Sequence, residues 1–180
     1  MSRIAALDPA RTQGKTREIL GAVDKMLGVT PNLFRVAAQA PSVLEGLVGL
    51  SGATSKGALG GGVREAIALA VAEANGCDYC LSAHSVLGKG AGLTEADIDR
   101  ARDAASTDPK TGAILRFARA VVAERGRVSE SELSTLRGAG VTDGEALEIV
   151  ANVVLNIFTN YINLVADTEI DFPVVRTKAK

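Results

Sequence analysis

Tryptophan is absent from the 180-residue sequence, histidine occurs once, cysteine twice, and four Phe and two Tyr are the only other aromatic residues besides that histidine. With so few rings and no sustained β-branched alternation, a strand-built core has little to draw on. An excess of one charge is also missing. Lys and Arg number 20 against 21 Asp and Glu, a net charge of −1. That balance removes the basic footprint required for nucleic acid or an anionic membrane. No uninterrupted apolar run reaches the ~18 residues of a membrane span. The opening MSRIAALDPARTQGK has no signal-peptide apolar stretch. The expectations are a cytoplasmic protein with no nucleic-acid and no membrane partner. Two cysteines do not make a disulfide framework, and a domain of this length buries about 70% of its unfolded surface without a staple or zinc.

What is present is alanine, leucine and valine, in a chain that is 47% hydrophobic. High helix propensity predicts an all-α, single-domain bundle of seven or eight helices. It spans residues 1–165, with the motif-bearing core at 42–125 and an extended or disordered tail at 166–180. Punctuation marks the helices. Ile19, Leu20 and Val23 stand at helical spacing within 12–27, stopped by Gly28. A short helix runs from Thr30-Pro31 to Val36, and Ser42 with Glu45 reads as a capping box opening 42–51. The glycines of 57–62 (GALGGG) read as a helix connector, because helical period precedes them and no Lys-Ser/Thr pair follows as a phosphate loop requires. Helix 63–75 closes at Gly76, and the next runs from about Cys77 to Leu87 before Gly88, Gly90 and Gly92. Thr94 with Asp97 opens 94–104, Pro109 opens 110–125, Ser129 with Glu132 opens another, and Thr142 with Glu145 opens 142–165. This last helix is apolar from Ala146 to Val165 except mainly at Asn152, Asn156, Asn160 and Asn163. It requires burial on most sides, part of it from another subunit.

Chemistry concentrates in EAIALAVAEANGCDYCLSAH, residues 65–84. On a helix starting at Cys77, positions 77, 80 and 84 stand at roughly 0°, −60° and −20°, so all three face one way. Cys80 and His84, four apart, are neighbours. A thiol beside an imidazole near a helix N-terminus has two causes for a lowered pKa, and the thiolate is the nucleophile. A second thiol three residues away can close a disulfide on the adduct, and peroxide is the natural electrophile for that sequence of events. The helix N-terminus favours Cys77 as the attacker, and adjacency to His84 favours Cys80. A hairpin about Asn75-Gly76 brings Glu65, ten residues before the turn, level with His84, eight after it. The carboxylate then orients the imidazole and accepts its proton. Blander readings exist for each group. Glu65 alone reads as a solvated charge and His84 alone as a core residue. A zinc site lacks a fourth ligand, and three ligands crowded on one turn fit a tetrahedron poorly. No metal and no cofactor are expected.

The spacing Glu65, Cys77, Cys80, His84 resembles the alkylhydroperoxidase D and carboxymuconolactone decarboxylase family, in particular its single-domain peroxidase-related members. TPNLFRVAAQAP and NIFTNYINLVADTEIDFP are similar to the same proteins, so the resemblance covers most of the chain. It implies an all-helical fold with the CxxC opening a helix, assembly as a homo-oligomer (trimer or hexamer), and thiol-dependent reduction of organic hydroperoxides. It assigns Cys80 as the attacking thiolate that becomes a sulfenic acid, and Cys77 as the proton donor that closes the Cys77–Cys80 disulfide. Glu65 and His84 form the proton relay, and the electron donor is a thiol or lipoyl group. Two departures stand out. Tyr79 occupies the place of a second His before the second Cys, and its hydroxyl is a candidate substrate-proximal group. Leu164 stands where related sequences often carry His.

Other functions fit parts of this pattern. The same dithiol serves a disulfide reductase or adaptor that passes electrons to another peroxidase or a lipoyl carrier. A non-catalytic helical redox-sensing module needs only the thiols. A lactone decarboxylase or isomerase would use His84 and Glu65 and leave both thiols idle.

Overall fold

The structure is a computed structural model that describes residues 2–178; Met1 and the last two residues of the expected tail, Ala179 and Lys180, lie outside the described residues. The chain forms α1 (Gly14–Leu27), α2 (Asn32–Ala37), α3 (Pro41–Thr54), α4 (Gly61–Asn75), α5 (Asp78–Gly90), α6 (Glu95–Arg102), α7 (Pro109–Ala123), α8 (Glu130–Gly138) and α9 (Asp143–Ala166). A 3₁₀ turn at Pro9–Arg11 precedes them, and there is no strand among the described residues. The architecture is all-α. Among the described residues there are nine helices, above the expected seven or eight but one for each segment marked by the sequence punctuation, the short α2, α6 and α8 being sustained by packing rather than by length.

Helix α4 is the axis of the bundle. Residues 66–72 are buried without a break, as a helix that is apolar on every side must be. It packs against α5, α6, α7 and α9, and its alanines at 66, 68, 70 and 72 allow close approach. At its end Gly76 adopts φ 70°. The Gly76 N–H donates to the Glu73 carbonyl and the Cys77 N–H to that of Ala72. This Schellman closure reverses the chain and sends α5 back along α4. The capping boxes at Thr94/Asp97, Ser129/Glu132 and Thr142/Glu145 are all formed. The one expected at Ser42/Glu45 is not. Helix α3 begins one residue earlier with Pro41 at its first position and no side-chain cap, because proline lacks the N–H that a cap would satisfy and its φ is already helical.

Helix α9 joins two apolar clusters. Val150 and Ile157 pack on the main core around α4, α5 and α7, and Leu155 and Phe158 pack on a second core built from α1, α2 and α3. Contrary to the sequence expectation, α9 has the length and composition of a bilayer-spanning helix, with a mean hydropathy of 1.6 over its most apolar window. Its four asparagines are buried inside the fold. Asn152 and Asn156 donate to the carbonyls of Glu148 and Asn152, one turn back.

Beyond α9 the chain runs extended across α5. Tyr79 donates its hydroxyl proton to Asp171 at 2.8 Å, and the Phe172 ring meets the Tyr79 ring edge-on. Val175 exchanges hydrogen bonds with the Ser82 hydroxyl, and Arg176 and Thr177 both bind the Asp78 carboxylate.

The Gly-rich connector is pinned, and only its first part lies outside a helix, since Gly61 and Gly62 form the first turn of α4. The Glu148 carboxylate accepts from the N–H groups of Ala58 and Leu59 at 3.0 and 3.1 Å. A Cβ on Gly57 would fall on that carboxylate. Gly57→Ala and Glu148→Ala therefore remove the same anchor. Each is expected to lower stability by about 1–3 kcal/mol, and the double variant to lose little more than either. Additive losses in urea unfolding would contradict this coupling.

Candidate active site

The α4–α5 hairpin brings together the four reactive side chains of the motif. Cys77 is the N-cap of α5 rather than its first residue, and its sulfur accepts from the Cys80 N–H at 3.4 Å. Cys80 lies in the first turn, near the positive end of the helix dipole. One turn on, His84 Nδ1 meets Glu65 Oε2 of α4 at 2.8 Å. The two sulfur residues are 1% and 2% exposed, whereas the His84 and Glu65 side chains keep 20% and 23% of their surface. The relay reaches solvent and the sulfurs lie beneath it.

Gly88 lies beside this pair and makes room for Leu93. Sequence punctuation marks it as a helix breaker, yet it lies inside α5, one turn beyond His84, and is buried. A Cβ there would stand 3.8 Å from the Glu65 Cβ and 3.2 Å from Leu93. The distance to Glu65 is an ordinary packing contact, and it is Leu93 that the missing side chain accommodates.

The electrostatics separate the two thiols. Burial pushes Cys80 upward, but the hydrogen bond from Cys77, the positive charge of His84 and the amides of Asn163 and Asn160 outweigh it, bringing the pKa from 9.0 down to about 6. Cys77 moves the opposite way. Its hydrogen bond to Cys80, its burial and the neighbouring thiolate charge hold its proton well above the ordinary thiol range. For His84, burial favours the neutral ring, and the charge and hydrogen bond of Glu65 together with Cys80 overcome it, so its pKa rises. The arrangement is a thiolate–imidazolium pair with a protonated second thiol beside it.

Two residues of the site carry no signal in the CxxC motif. Asn163 Nδ2 of α9 donates to Cys80 Sγ at 3.2 Å. Asn160 also acts on that sulfur, with its Oδ1 held by Asn75 Nδ2 at 2.8 Å. The signal that finds them is the run of asparagines on one face of an otherwise apolar helix. Tyr79 is not part of the constellation. Its hydroxyl, expected as a candidate substrate-proximal group, accepts from the Leu33 N–H at 3.0 Å and donates to Asp171, so both bonds are made within the fold. Leu164 is 42% exposed on α9. Among the described residues, no group of three or more His, Cys, Asp and Glu side chains is arranged to hold a metal ion.

Fold and site define a helical dithiol protein with a carboxylate–imidazole pair beside the thiols, and comparison with known proteins agrees on the fold. Residues 41–124, which contain all four motif residues, match the carboxymuconolactone decarboxylase family. No curated protein sequence matches. Among solved structures, an alkylhydroperoxidase AhpD core, a peroxidase-related protein from Ralstonia eutropha JMP134, superposes with a TM-score of 0.86 at 26% identity, over 94% of this chain and 92% of that one. A peroxidase-related protein from Silicibacter sp. TM1040 gives 0.79 at 21% identity, over 92% and 91%. The debrominase Bmp8, solved in complex with 2,3,4-tribromopyrrole, gives 0.80 at 20% identity, over 93% and 91%, and shares the fold. Over residues 41–124 the chain is similar to the carboxymuconolactone decarboxylase family, and as a whole it has the alkylhydroperoxidase D-like fold.

Two outcomes follow. In the reduced protein, iodoacetamide is expected to alkylate Cys80 with a rate that rises through a midpoint at about 6, leaving Cys77 unmodified below pH 9, and His84→Gln is expected to raise that midpoint by removing the cation. Midpoints near about 8.5 for both thiols would contradict the assigned asymmetry. Tyr79→Phe, which leaves the Leu33 N–H and Asp171 without their shared partner, is expected to cost about 1–3 kcal/mol in thermal or urea unfolding. The Cys80 alkylation midpoint should not move with it; a shifted midpoint at unchanged stability would return Tyr79 to the site.

Proposed function

We propose that the protein is a thiol peroxidase that reduces organic hydroperoxides, with Cys80 as the attacking thiolate, Cys77 as the resolving thiol, and His84 with Glu65 as the proton relay. The observation that carries this reading is the division of labour between the sulfurs: Cys80 is drawn toward the thiolate while Cys77 is held as the thiol. The imidazolium of His84 is stable beside that thiolate from about pH 6, where Cys80 ionises, up to its own raised pKa.

The Cys80 thiolate attacks the terminal oxygen of R–O–O–H. The S–O bond forms, the O–O bond breaks, and the sulfur loses two electrons to the peroxide. The departing alkoxide takes the His84 proton and leaves as the alcohol. With Nδ1 engaged by Glu65, Nε2 is the nitrogen available for that transfer, and the carboxylate steadies the imidazolium until it gives up its proton. Cys77 then attacks the Cys80 sulfenic acid. Its thiol proton and the expelled hydroxide make water, and the Cys77–Cys80 disulfide closes. An external dithiol returns both sulfurs to the reduced state and recharges His84.

Burial favours this reading over a reductase of protein disulfides. Sulfurs only 1% and 2% exposed are approached by a small hydroperoxide with less opening of the fold than another protein's disulfide needs. A slender lipoyl dithiol suits the site as electron donor for the same reason.

Cys80→Ser is expected to abolish consumption of cumene hydroperoxide with helicity intact. Cys77→Ser should take up one oxygen equivalent, leave a sulfenic acid that dimedone traps, and fail to turn over. Full peroxidase activity in Cys80→Ser would overturn the proposal. Disulfide exchange faster than hydroperoxide reduction by orders of magnitude would replace it with the dithiol reductase.

A further inference from the structure

Helix α9 reaches the site with amides alone. Asn163 Nδ2 donates to Cys80 Sγ at 3.2 Å. Asn160 accepts from Asn75 at 2.8 Å through Oδ1, which fixes the orientation of its amide and leaves Nδ2 as its free end. Two atoms then lack a partner at hydrogen-bond distance: Asn160 Nδ2, a donor that acts on the Cys80 sulfur from farther off, and Asn163 Oδ1, an acceptor. The residues that carry them are 0% and 3% exposed. Buried amide atoms seldom stay unpaired in native proteins, and here one donor and one acceptor flank the most reactive sulfur of the chain.

A hydroxyl-bearing oxygen needs that complement, one hydrogen bond to accept and one to donate. The terminal oxygen of a hydroperoxide is such an atom, and so is the oxygen of the sulfenic acid it becomes. We propose that Asn160 and Asn163 bind the oxygen that Cys80 removes from the hydroperoxide, Asn160 Nδ2 donating to it and Asn163 Oδ1 accepting its proton. The inference rests on the peroxidase reading and deepens it. The terminal O–H enters between the two amides, the O–O bond breaks as the S–O bond forms, and the oxygen stays in place as Cys80–S–O–H. The alkoxide leaves toward His84. Asn163 has a second task, since its Nδ2 holds the thiolate. The titratable groups acting on Cys80 are Cys77 and His84 and, through His84, Glu65 of α4, while Tyr79 of the same helix feels the Cys80 charge. From α9 only uncharged amides act on it.

The test compares two electrophiles on the full-length reduced chain at pH 8, where Cys80 is ionised. Cumene hydroperoxide transfers an oxygen, and iodoacetamide does not. Asn160→Leu is expected to slow oxidation of Cys80 at least about tenfold, in line with loss of one preorganised donor, while alkylation stays within about twofold. Asn75→Ala, which frees the Asn160 amide to turn, is expected to act in the same direction and serves if Asn160→Leu does not fold. Asn163→Leu should also slow oxidation, and both leucine variants should raise the pH midpoint of alkylation, Asn163→Leu by more. Equal losses in both reactions, or none in either, would overturn the inference and leave the peroxidase reading standing. A wild-type Cys80 that alkylates normally but resists the hydroperoxide would overturn both.

Discussion

A thiolate buried among apolar residues is the constraint on which this structure turns. Charge in such surroundings is expensive unless dipoles and a counter-charge replace water, and the protein brings them to Cys80 from four directions. The first turn of α5 offers its positive end, Cys77 a hydrogen bond, His84 a cation, and α9 its amides. Cys77 is costly to ionise because its proton makes the hydrogen bond to Cys80, because it is buried and because the Cys80 thiolate lies beside it, so two thiols three residues apart acquire opposite tendencies. Linkage runs accordingly. Ionised Cys80 stabilises the folded chain fully above its unfolded pKa, and that contribution is lost as pH falls through about 6. His84, with a raised folded pKa, contributes below its unfolded value and loses that contribution as pH rises through the raised one. Between those limits both charges coexist.

Much of the remaining architecture serves to hold these groups in place. The glycine closure at Gly76 sets the hairpin, Gly88 makes room for Leu93 beside it, and the buried flank of α4 supplies a rigid wall. The extended segment after α9 binds Asp78, Tyr79 and Ser82, all within two residues of Cys80. The first turn of α5, where the helix dipole and the Cys77 cap act, is thereby fastened from outside by a part of the chain about 90 residues away. Rigidity of this kind lets fixed dipoles replace solvent without reorganising at the moment of reaction.

The hairpin was legible from sequence because its signals are local: a helix-closing glycine, apolar periodicity, and reactive residues spaced to face one another across a turn. The three formed capping boxes were legible for the same reason. What stayed hidden depends on partners distant in the chain. Gly88 reads as a breaker until Leu93 is seen packed against it. Ser42 reads as a cap because a sequence pattern does not reveal that Pro41 already opens the helix. The asparagines of α9 are visible as interruptions, but their purpose appears only when Asn163 meets a sulfur 83 residues away. Nothing local marks residues 167–178 as an anchored strap, since its bonds go to α5, to α6 and to the α2 region.

The claim at the centre of this account is that one cysteine is ionised at neutral pH and its neighbour is not. A pH titration of the two cysteine Cβ resonances in ¹³C-labelled, fully reduced protein tests it without any reagent or substrate. The account predicts a Cys80 transition near pH 6, mirrored in the His84 ring through their coupling, with the Cys77 resonance flat to pH 9. Coincident transitions near about pH 8.5, or Cys77 ionising first, would contradict it.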